Sequence, residues 1–337
     1  MNWLITGGCG FIGKNLIKEL LQKEQAISIR VLDNLSVGSK EDLLYATDKV
    51  ERVNLDEVNW TSGKVQLVVG DIMDAELAIN VTKEADVIVH LAANTGVGPS
   101  VENPRMDCTN NVIGTFNYLD ACRINKVGRF VFASSGAPIG ECVPPIHEEM
   151  PCHPVSPYGA SKLAGEAYCS AYHKSFGVDT VALRFGNVYG PGSTHKSSVV
   201  AKFIRMAMNG ETLEIYGDGS QTRDFIYTGD LVNAIWLGAN KKGAGGEIFQ
   251  IATNMETTVL EITDQLLAVL KEFNVSNVKT IYGPKRIGDV MRNFSDTSKA
   301  KSILGWKSQT SISQGLHQTI QWFIEKNEEV YDQKNTK

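Results

Sequence analysis

The amino-acid sequence predicts an α/β protein: a doubly wound parallel sheet followed by a smaller C-terminal α/β lobe. Three observations lead there. Short, β-branched and nearly continuous apolar runs alternate with helix-period segments through the first half of the 337-residue chain. Strands buried on both faces read this way, and strand–helix alternation implies parallel pairing. The first run breaks into glycines that open a helix, and after about residue 185 the alternation loosens into turns.

Taken in order, the first strand is 3–6 (WLIT). Residues 14–24 follow with Leu16, Ile17, Leu20 and Leu21 at helical spacing. Further strands are expected at 27–33, 65–70, 86–92, 129–134 and 178–184, and helices at 110–125 and 157–176. The latter opens on Pro157, which suits a first helical turn, and stops at Gly177. Glycines and turns then dominate 186–198 and 216–222. Helices resume at 199–209, 229–240 and 258–273, with a strand at 247–252 between two of them. A last helix at 311–326 runs into a polar tail expected to fray. The expected organisation is 1–185, with 226–252 returning to it, then 186–225 plus 253–328 as a second lobe, and 329–337 as the tail. The lobe should lie over the carboxyl edge of the sheet, where open α/β sheets take ligands.

Composition narrows the function classes. Lys and Arg number 33 against 38 Asp and Glu, a net charge of −5, and 42% of residues are hydrophobic. That excludes a disordered chain. It also gives no electrostatic footprint for nucleic acid, since the only adjacent basic pairs are Lys241-Lys242 and Lys285-Arg286. No apolar run reaches the ~20 residues that span a bilayer, so no membrane association is expected. The N-terminus has no basic region and turns glycine-rich at once, unlike a signal peptide. Cys9, Cys108, Cys122, Cys142, Cys152 and Cys169 never form CxxC, and are read as reduced thiols of a cytoplasmic protein without a metal site.

Three motifs carry chemistry. Gly7-x-x-Gly10-x-x-Gly13 directly follows the first strand and opens the first helix. A tight turn, bare backbone and a helix N-terminus together make the Rossmann-type cradle for a dinucleotide pyrophosphate. Asp33 closes the second strand about 20 residues further on, where a carboxylate takes ribose hydroxyls and repels a 2′-phosphate, favouring NAD over NADP. Tyr158-x-x-x-Lys162 puts a phenol and an ammonium on one helix face. The ammonium is expected to lower the phenol pKa and make Tyr158 a usable general base. Ser134-Ser135 ends the strand 129–134 on the ligand side of the sheet, where a hydroxyl can bridge substrate oxygen and Tyr158.

With these residues in view, the chain resembles the extended short-chain dehydrogenase/reductase family, and within it the nucleotide-sugar epimerases of the UDP-glucose 4-epimerase type. The markers span about 1–325: TGGCGFIG (6–13), LDNLSVG (32–38), GDI (70–72), HLAA (90–93), NNVIGT (110–115), SS (134–135), YGASK (158–162), RFGNVYGPG (184–192), YGDGSQTRDFIY (216–227) and RIGD (286–289). The resemblance implies that Gly7, Gly10, Phe11, Ile12 and Gly13 hold the NAD pyrophosphate. It implies that Asp33, Asn34, Ser36 and Gly38 surround the adenosine ribose, and that Asp71 and Ile72 flank the adenine. Leu91, Ala92 and Ala93 would line the channel, with Asn111 behind it and Tyr158 and Lys162 at its reactive end. On the substrate side it implies Asn187, Arg223 and Arg286 on phosphate, Asp289 on ribose, Val199 and the backbone around Tyr216 on uracil, and Asn293 at the sugar. Ser135, Tyr158 and Lys162 would be catalytic. A homodimer through the helices at 110–125 and 157–176 is implied as well.

Two departures bear on the reaction. The tyrosine usual before Gly140 is Ile139. The Asp-Glu pair that 4,6-dehydratases carry after the strand-end hydroxyl is Gly136-Ala137, which leaves water elimination without an acid and a base. The expected activity is therefore C4 epimerisation of a UDP-sugar, on the glucose/galactose or the N-acetylhexosamine pair. Alternatives are a UDP-glucuronate 4-epimerase, with His195 and Lys196 meeting a carboxylate, a related sugar-nucleotide oxidoreductase or decarboxylase, and an NAD-sensing regulatory protein.

Overall fold

The structure is a computed structural model and describes residues 1–23, 27–54, 59–285 and 290–335, with side chains through 327. In chain order the first half runs β1 (Asn2–Thr6), α1 (Phe11–Lys23), β2 (Ser28–Asp33), β3 (Val50–Arg52), β4 (Val65–Val69), α2 (Ala75–Val81), β5 (Val87–His90), α3 (Val97–Glu102), α4 (Pro104–Cys108), α5 (Gly114–Ile124), β6 (Arg129–Ser135), α6 (Pro157–Phe176) and β7 (Thr180–Phe185). One eight-stranded sheet forms, in the order β12-β7-β6-β5-β1-β2-β4-β3, where β12 is Glu247–Ile251. Every pairing in it is parallel. Strand order reverses between β1 and β5, and open α/β sheets place their ligand crevice at such a point.

The strands are buried because helices cover both sheet faces. Trp3, Ile5, Val31, Val89, Val131 and Leu183 pack with α1 and α8 (Thr228–Asn240) on one side, whereas Leu4, Ile88, Phe130 and Phe132 pack with α2, α5 and α6 on the other. The alternation within each strand assigns successive residues to opposite layers.

The expected helix at 14–24 starts earlier, at Phe11, because the glycine turn itself forms its first turn. The expected helix at 110–125 is interrupted: Thr109–Ile113 is a π-turn that hands α4 on to α5. α6 spans 157–176 as expected, capped by Ser156 Oγ accepting from Gly159 N and closed by Gly177 in the left-handed region.

Beyond β7 lie β8 (Asn187–Tyr189), α7 (Val199–Met208), β9 (Leu213–Tyr216), β10 (Thr222–Arg223), β11 (Phe225–Tyr227), β13 (Thr257–Thr258), α9 (Val259–Glu272) and β14 (Thr280–Gly283). These strands pair two by two, β8 with β11, β9 with β14 and β10 with β13. They are two to four residues long, too short to show an alternating pattern in sequence. α7, α9 and α10 (Ile312–Asn335) enclose a separate core around Phe203, Ile204, Leu266 and Ile320. α10 continues past the expected end at 326.

Candidate active site

At the phosphate cradle, Gly7 has φ +69°, and a Cβ on it would stand 2.8 Å from Ala92 N. A Cβ on Gly13 would stand 2.5 Å from Gly8 Cα, so the third glycine lets the helix close on its own turn. The first helical bond of α1 runs from Lys14 N to Gly10 O, which leaves the N–H groups of Phe11, Ile12 and Gly13 ahead of the ladder. Such a row of donors at a positive helix end suits a diphosphate. A cradle that only glycine backbone can form thus fits the dinucleotide expected from the motif.

Asp33 is 9% exposed; its Oδ2 accepts from Cys9 N at 3.0 Å and its Oδ1 from Leu35 N at 2.9 Å. Burial raises its carboxyl pKa, partly offset by those two bonds. Cys9 thus helps aim Asp33, a link no spacing rule signals. Gly38 lies where any side chain would collide with the Cys9 carbonyl. Asn34 donates to Asp71 Oδ2 at 2.9 Å and accepts from Ser36 N at 3.1 Å, so these three expected cofactor residues form one exposed cluster. Ile72 is 8% exposed and packs against Gly114, leaving a narrow face for an adenine. Leu91 and Ala92 are fixed by β1: their N–H groups donate to Thr6 O and Thr6 Oγ1, each at 3.2 Å, and Ala93 follows half-buried.

Asn111 sits in the π-turn, 1% exposed. Its Oδ1 accepts from Asn94 N at 2.7 Å, and its Nδ2 faces Asn94 O, Asp107 Oδ1 and Ser161 Oγ at 2.9, 2.9 and 3.1 Å. It therefore joins the channel wall after Ala93 to α4 and α6.

The reactive end is held by β6, β7 and α6. Ser135 ends β6 and acts to lower the pKa of Tyr158, which is half-buried. Lys162, 4% exposed, donates from Nζ to Ala133 O at 2.8 Å, and its Nζ lies 5.9 Å from the Tyr158 ring centre. The expectation of a lowered phenol pKa is corrected here. Burial pushes Tyr158 up to about 12, with Ser135 working against it and the Asp107 charge adding to it. Burial also brings Lys162 down to about 8, against the charges of Asp107 and Glu166. In both groups desolvation is the largest cause.

Beneath this pair lies a network the motifs did not reveal. Glu166 and Arg184, each with a 2% exposed side chain, meet at 2.7 and 2.8 Å, and Ser134 Oγ donates to Glu166 Oε1 at 2.5 Å. Register places Ser134 opposite Arg184 and Ser135 opposite Phe185. The sequence signal was available: Glu166 follows Lys162 by one turn, and Arg184 is a charge closing an apolar strand.

On the substrate side, Asn187 opens β8 and its N–H donates to Asp224 O at 2.8 Å. Arg223 NH1 donates to Thr222 O and Val290 O at 2.6 and 2.7 Å. Asn293 N–H reaches Thr222 Oγ1 at 3.3 Å. The structure thus brings the Asn187, Arg223 and Asn293 segments together. Val199 is half-buried at the start of α7; Tyr216 ends β9, its carbonyl taken by Gln221 Nε2 at 3.0 Å and its ring under Lys202 Nζ. Arg286 and Asp289 lie outside the described residues. His195 is exposed; Lys196 is half-buried, and burial lowers its ammonium pKa.

Asp224, 1% exposed, was not anticipated. It accepts from Thr253 N (2.7 Å), Thr253 Oγ1 (2.5 Å), Asn254 N (3.0 Å) and Ser295 N (3.3 Å). Among the described residues no His, Cys, Asp and Glu cluster is placed to hold a metal ion, and no helix is long and apolar enough to cross a membrane. All six cysteines are free thiols.

Known proteins are similar to this chain in sequence and fold. The chain is 34% identical over 333 residues to the UDP-glucose 4-epimerase of Mycolicibacterium smegmatis, covering 97% of this chain and 100% of that one. The solved UDP-N-acetylglucosamine 4-epimerase of Methanobrevibacter ruminantium M1, in complex with UDP-N-acetylmuramic acid, superposes with a TM-score of 0.85 at 31% identity, covering 96% and 98% of the two chains. The UDP-glucuronic acid 4-epimerase of Bacillus cereus, in complex with UDP-glucuronic acid and NAD, superposes with a TM-score of 0.84 at 28% identity, covering 96% and 99%. A family model described as the NAD dependent epimerase/dehydratase family matches residues 3–252. With the glycine cradle, Asp33 and the Tyr158–Lys162 pair in place on an eight-stranded parallel sheet, the chain belongs to the NAD-dependent epimerase/dehydratase family.

Proposed function

We propose that the protein interconverts the C4 epimers of a UDP-sugar, either UDP-glucose and UDP-galactose or the UDP-N-acetylhexosamine pair. One observation carries the reading: Tyr158 stands at the sheet's carboxyl edge by the strand-end Ser135 and is backed by Lys162, whose Nζ lies 5.9 Å from its ring centre, while the two positions after Ser135 are Gly136 and Ala137. The site has a proton acceptor for a carbinol, and no acid and base at the positions dehydratases use. The relatives named above act on UDP-sugars at C4, which supports the same class here.

Gly7, Gly10, Phe11, Ile12 and Gly13 would hold the dinucleotide pyrophosphate, and Asp33 with Asn34 its ribose. Bound in its oxidised form, NAD supplies a positive ring that accepts hydride and favours a nearby phenolate. Tyr158 takes the proton of the C4 hydroxyl, Ser135 orients that hydroxyl, and Lys162 stabilises the phenolate. Asn187 and Arg223 grip the diphosphate while the hexose presents its other face, and Tyr158 then returns the proton. Position and proton transfer are the protein's contribution. We further propose a homodimer through α5 and α6, which carry exposed Ile124, Tyr168 and Phe176, with exposed Ile113 at the end of the preceding π-turn. Sedimentation of Phe176→Glu against the wild type checks it, the variant being expected to run as a monomer.

The deciding experiment incubates pure protein with UDP-glucose, UDP-N-acetylglucosamine and UDP-glucuronate separately and follows each C4 epimer by NMR. One of the first two is expected to equilibrate without net NADH. Carbon dioxide release or stoichiometric NADH would overturn the reading. Tyr158→Phe is expected to keep the dinucleotide and lose turnover.

A further inference from the structure

We infer that Asp107 is a positioning residue, the buried counter-charge that keeps Lys162 an ammonium behind Tyr158. The inference rests on the acid–base reading of that pair. Asp107 lies in α4, 0% exposed. Its Oδ1 accepts from Asn111 Nδ2 at 2.9 Å; its Oδ2 has no hydrogen-bond partner and no cation contacts it among the described residues. A buried carboxylate left this bare is costly unless a charge nearby balances it.

The charged groups around Lys162 show what that charge is. Glu166, on the same helix, is neutralised by Arg184 of β7 at 2.7 Å. His90 of β5 is wholly buried between Thr6 and Thr115, and burial, with the Lys162 charge, holds it down to about 3, so it is neutral. Asp107 is joined to the other side of this site through Asn111, whose Nδ2 lies 3.1 Å from Ser161 Oγ, the residue before Lys162 in α6, and of the two carboxylates whose charge bears on Lys162 it is the one without a cation of its own. Lys162 itself is bonded to a carbonyl, which solvates an ammonium but does not cancel its charge. The Asp107 charge, ahead of that of Glu166, works to raise the Lys162 pKa, and it also raises that of Tyr158. Burial raises the Asp107 carboxyl, offset by Ser161 and by Lys162.

A purely structural role makes a different prediction. If Asp107 served only to accept the Asn111 amide, any neutral acceptor would replace it. If it is the counter-charge, neutral replacements lower the pKa of both Tyr158 and Lys162. Both limbs of the pH profile then move toward acid.

The test measures kcat/KM of the NAD-loaded enzyme from pH 5 to 10 on whichever UDP-sugar it turns over. For Asp107→Asn and Asp107→Ser, both limbs are expected to shift acidward by about one pH unit. A profile depressed evenly, with its limbs unmoved, overturns the inference. Should the neutral variants fail to fold, the double variant Asp107→Asn/Lys162→Met decides, because charge and counter-charge leave together. Its recovery of a cooperative urea transition supports the pairing; failure equal to the single variant overturns it. This coupling is read without activity, so it stands apart from the proposed reaction. Turnover retained by Tyr158→Phe would sink that reaction alone.

Discussion

Two buried carboxylates, Glu166 and Asp224, hold the two halves of the site by different physics. Glu166 is answered by a full charge: Arg184 contacts it twice, and Ser134 donates a third bond. Burial lowers the guanidinium pKa, yet the hydrogen bonds and charge of Glu166 outweigh this and raise it. Asp224 is answered by neutral donors alone, three backbone N–H groups and one hydroxyl. Burial accordingly leaves its carboxyl above the usual range in spite of four bonds. The difference follows from what each region must do. Lys162 stands one turn from Glu166, whose charge Arg184 answers at 2.7 Å. The substrate edge needs three chain segments, at 224, 253–254 and 295, kept in register, and directional bonds to backbone do that better than an ion pair.

The largest expected effect breaks the charged network. Arg184→Met leaves Glu166 buried without its cation and is expected to cost about 3–5 kcal/mol in urea denaturation. A loss below about 1 kcal/mol would show that water reaches Glu166. Next, Asp224→Asn turns an amide toward N–H donors and is expected to cost about 1–3 kcal/mol. It should also raise KM for the sugar nucleotide more than it lowers kcat, as steady-state kinetics will show. The third expectation separates the regions by pH. With Lys162 brought down to about 8, the ammonium that supports the phenolate is lost as pH rises through that value, so wild-type kcat/KM should fall on the alkaline side there. Asp224→Asn should leave that limb in place. The smallest effect is at the surface of the same edge. Arg292 meets Glu256 at 2.7 and 2.8 Å, but its side chain is 54% exposed. Arg292→Ala is expected to leave the thermal midpoint unchanged within error, since solvent screens such pairs.

Much of the frame was legible because it repeats simple patterns. Strands buried on both faces read as apolar runs, and α6 announced both ends with Pro157 and Gly177. The glycine cradle and the Tyr158–Lys162 spacing were legible because their chemistry depends on neighbours close in sequence. The short strands β8 to β11 were not, having no room for a period, nor was the π-turn at 109–113, where the Asn111 amide reaches Asn94 and Ser161, partners far away in sequence. The pKa of Tyr158 was read with the wrong sign. Sequence spacing reports which charges are near, whereas desolvation depends on everything packed around them.

By itself the sequence determined the layers, the glycine cradle, the acidic residue that closes the second strand, and the phenol–ammonium pair on one helix. These are local, carried by periodicity and by residues within a turn or two of one another. Only the tertiary structure decided which buried charges meet. Glu166 with Arg184, and Asp224 with the loops at 253 and 295, come from different elements. A burial cost that depends on the whole surroundings cannot be read from any one stretch of chain.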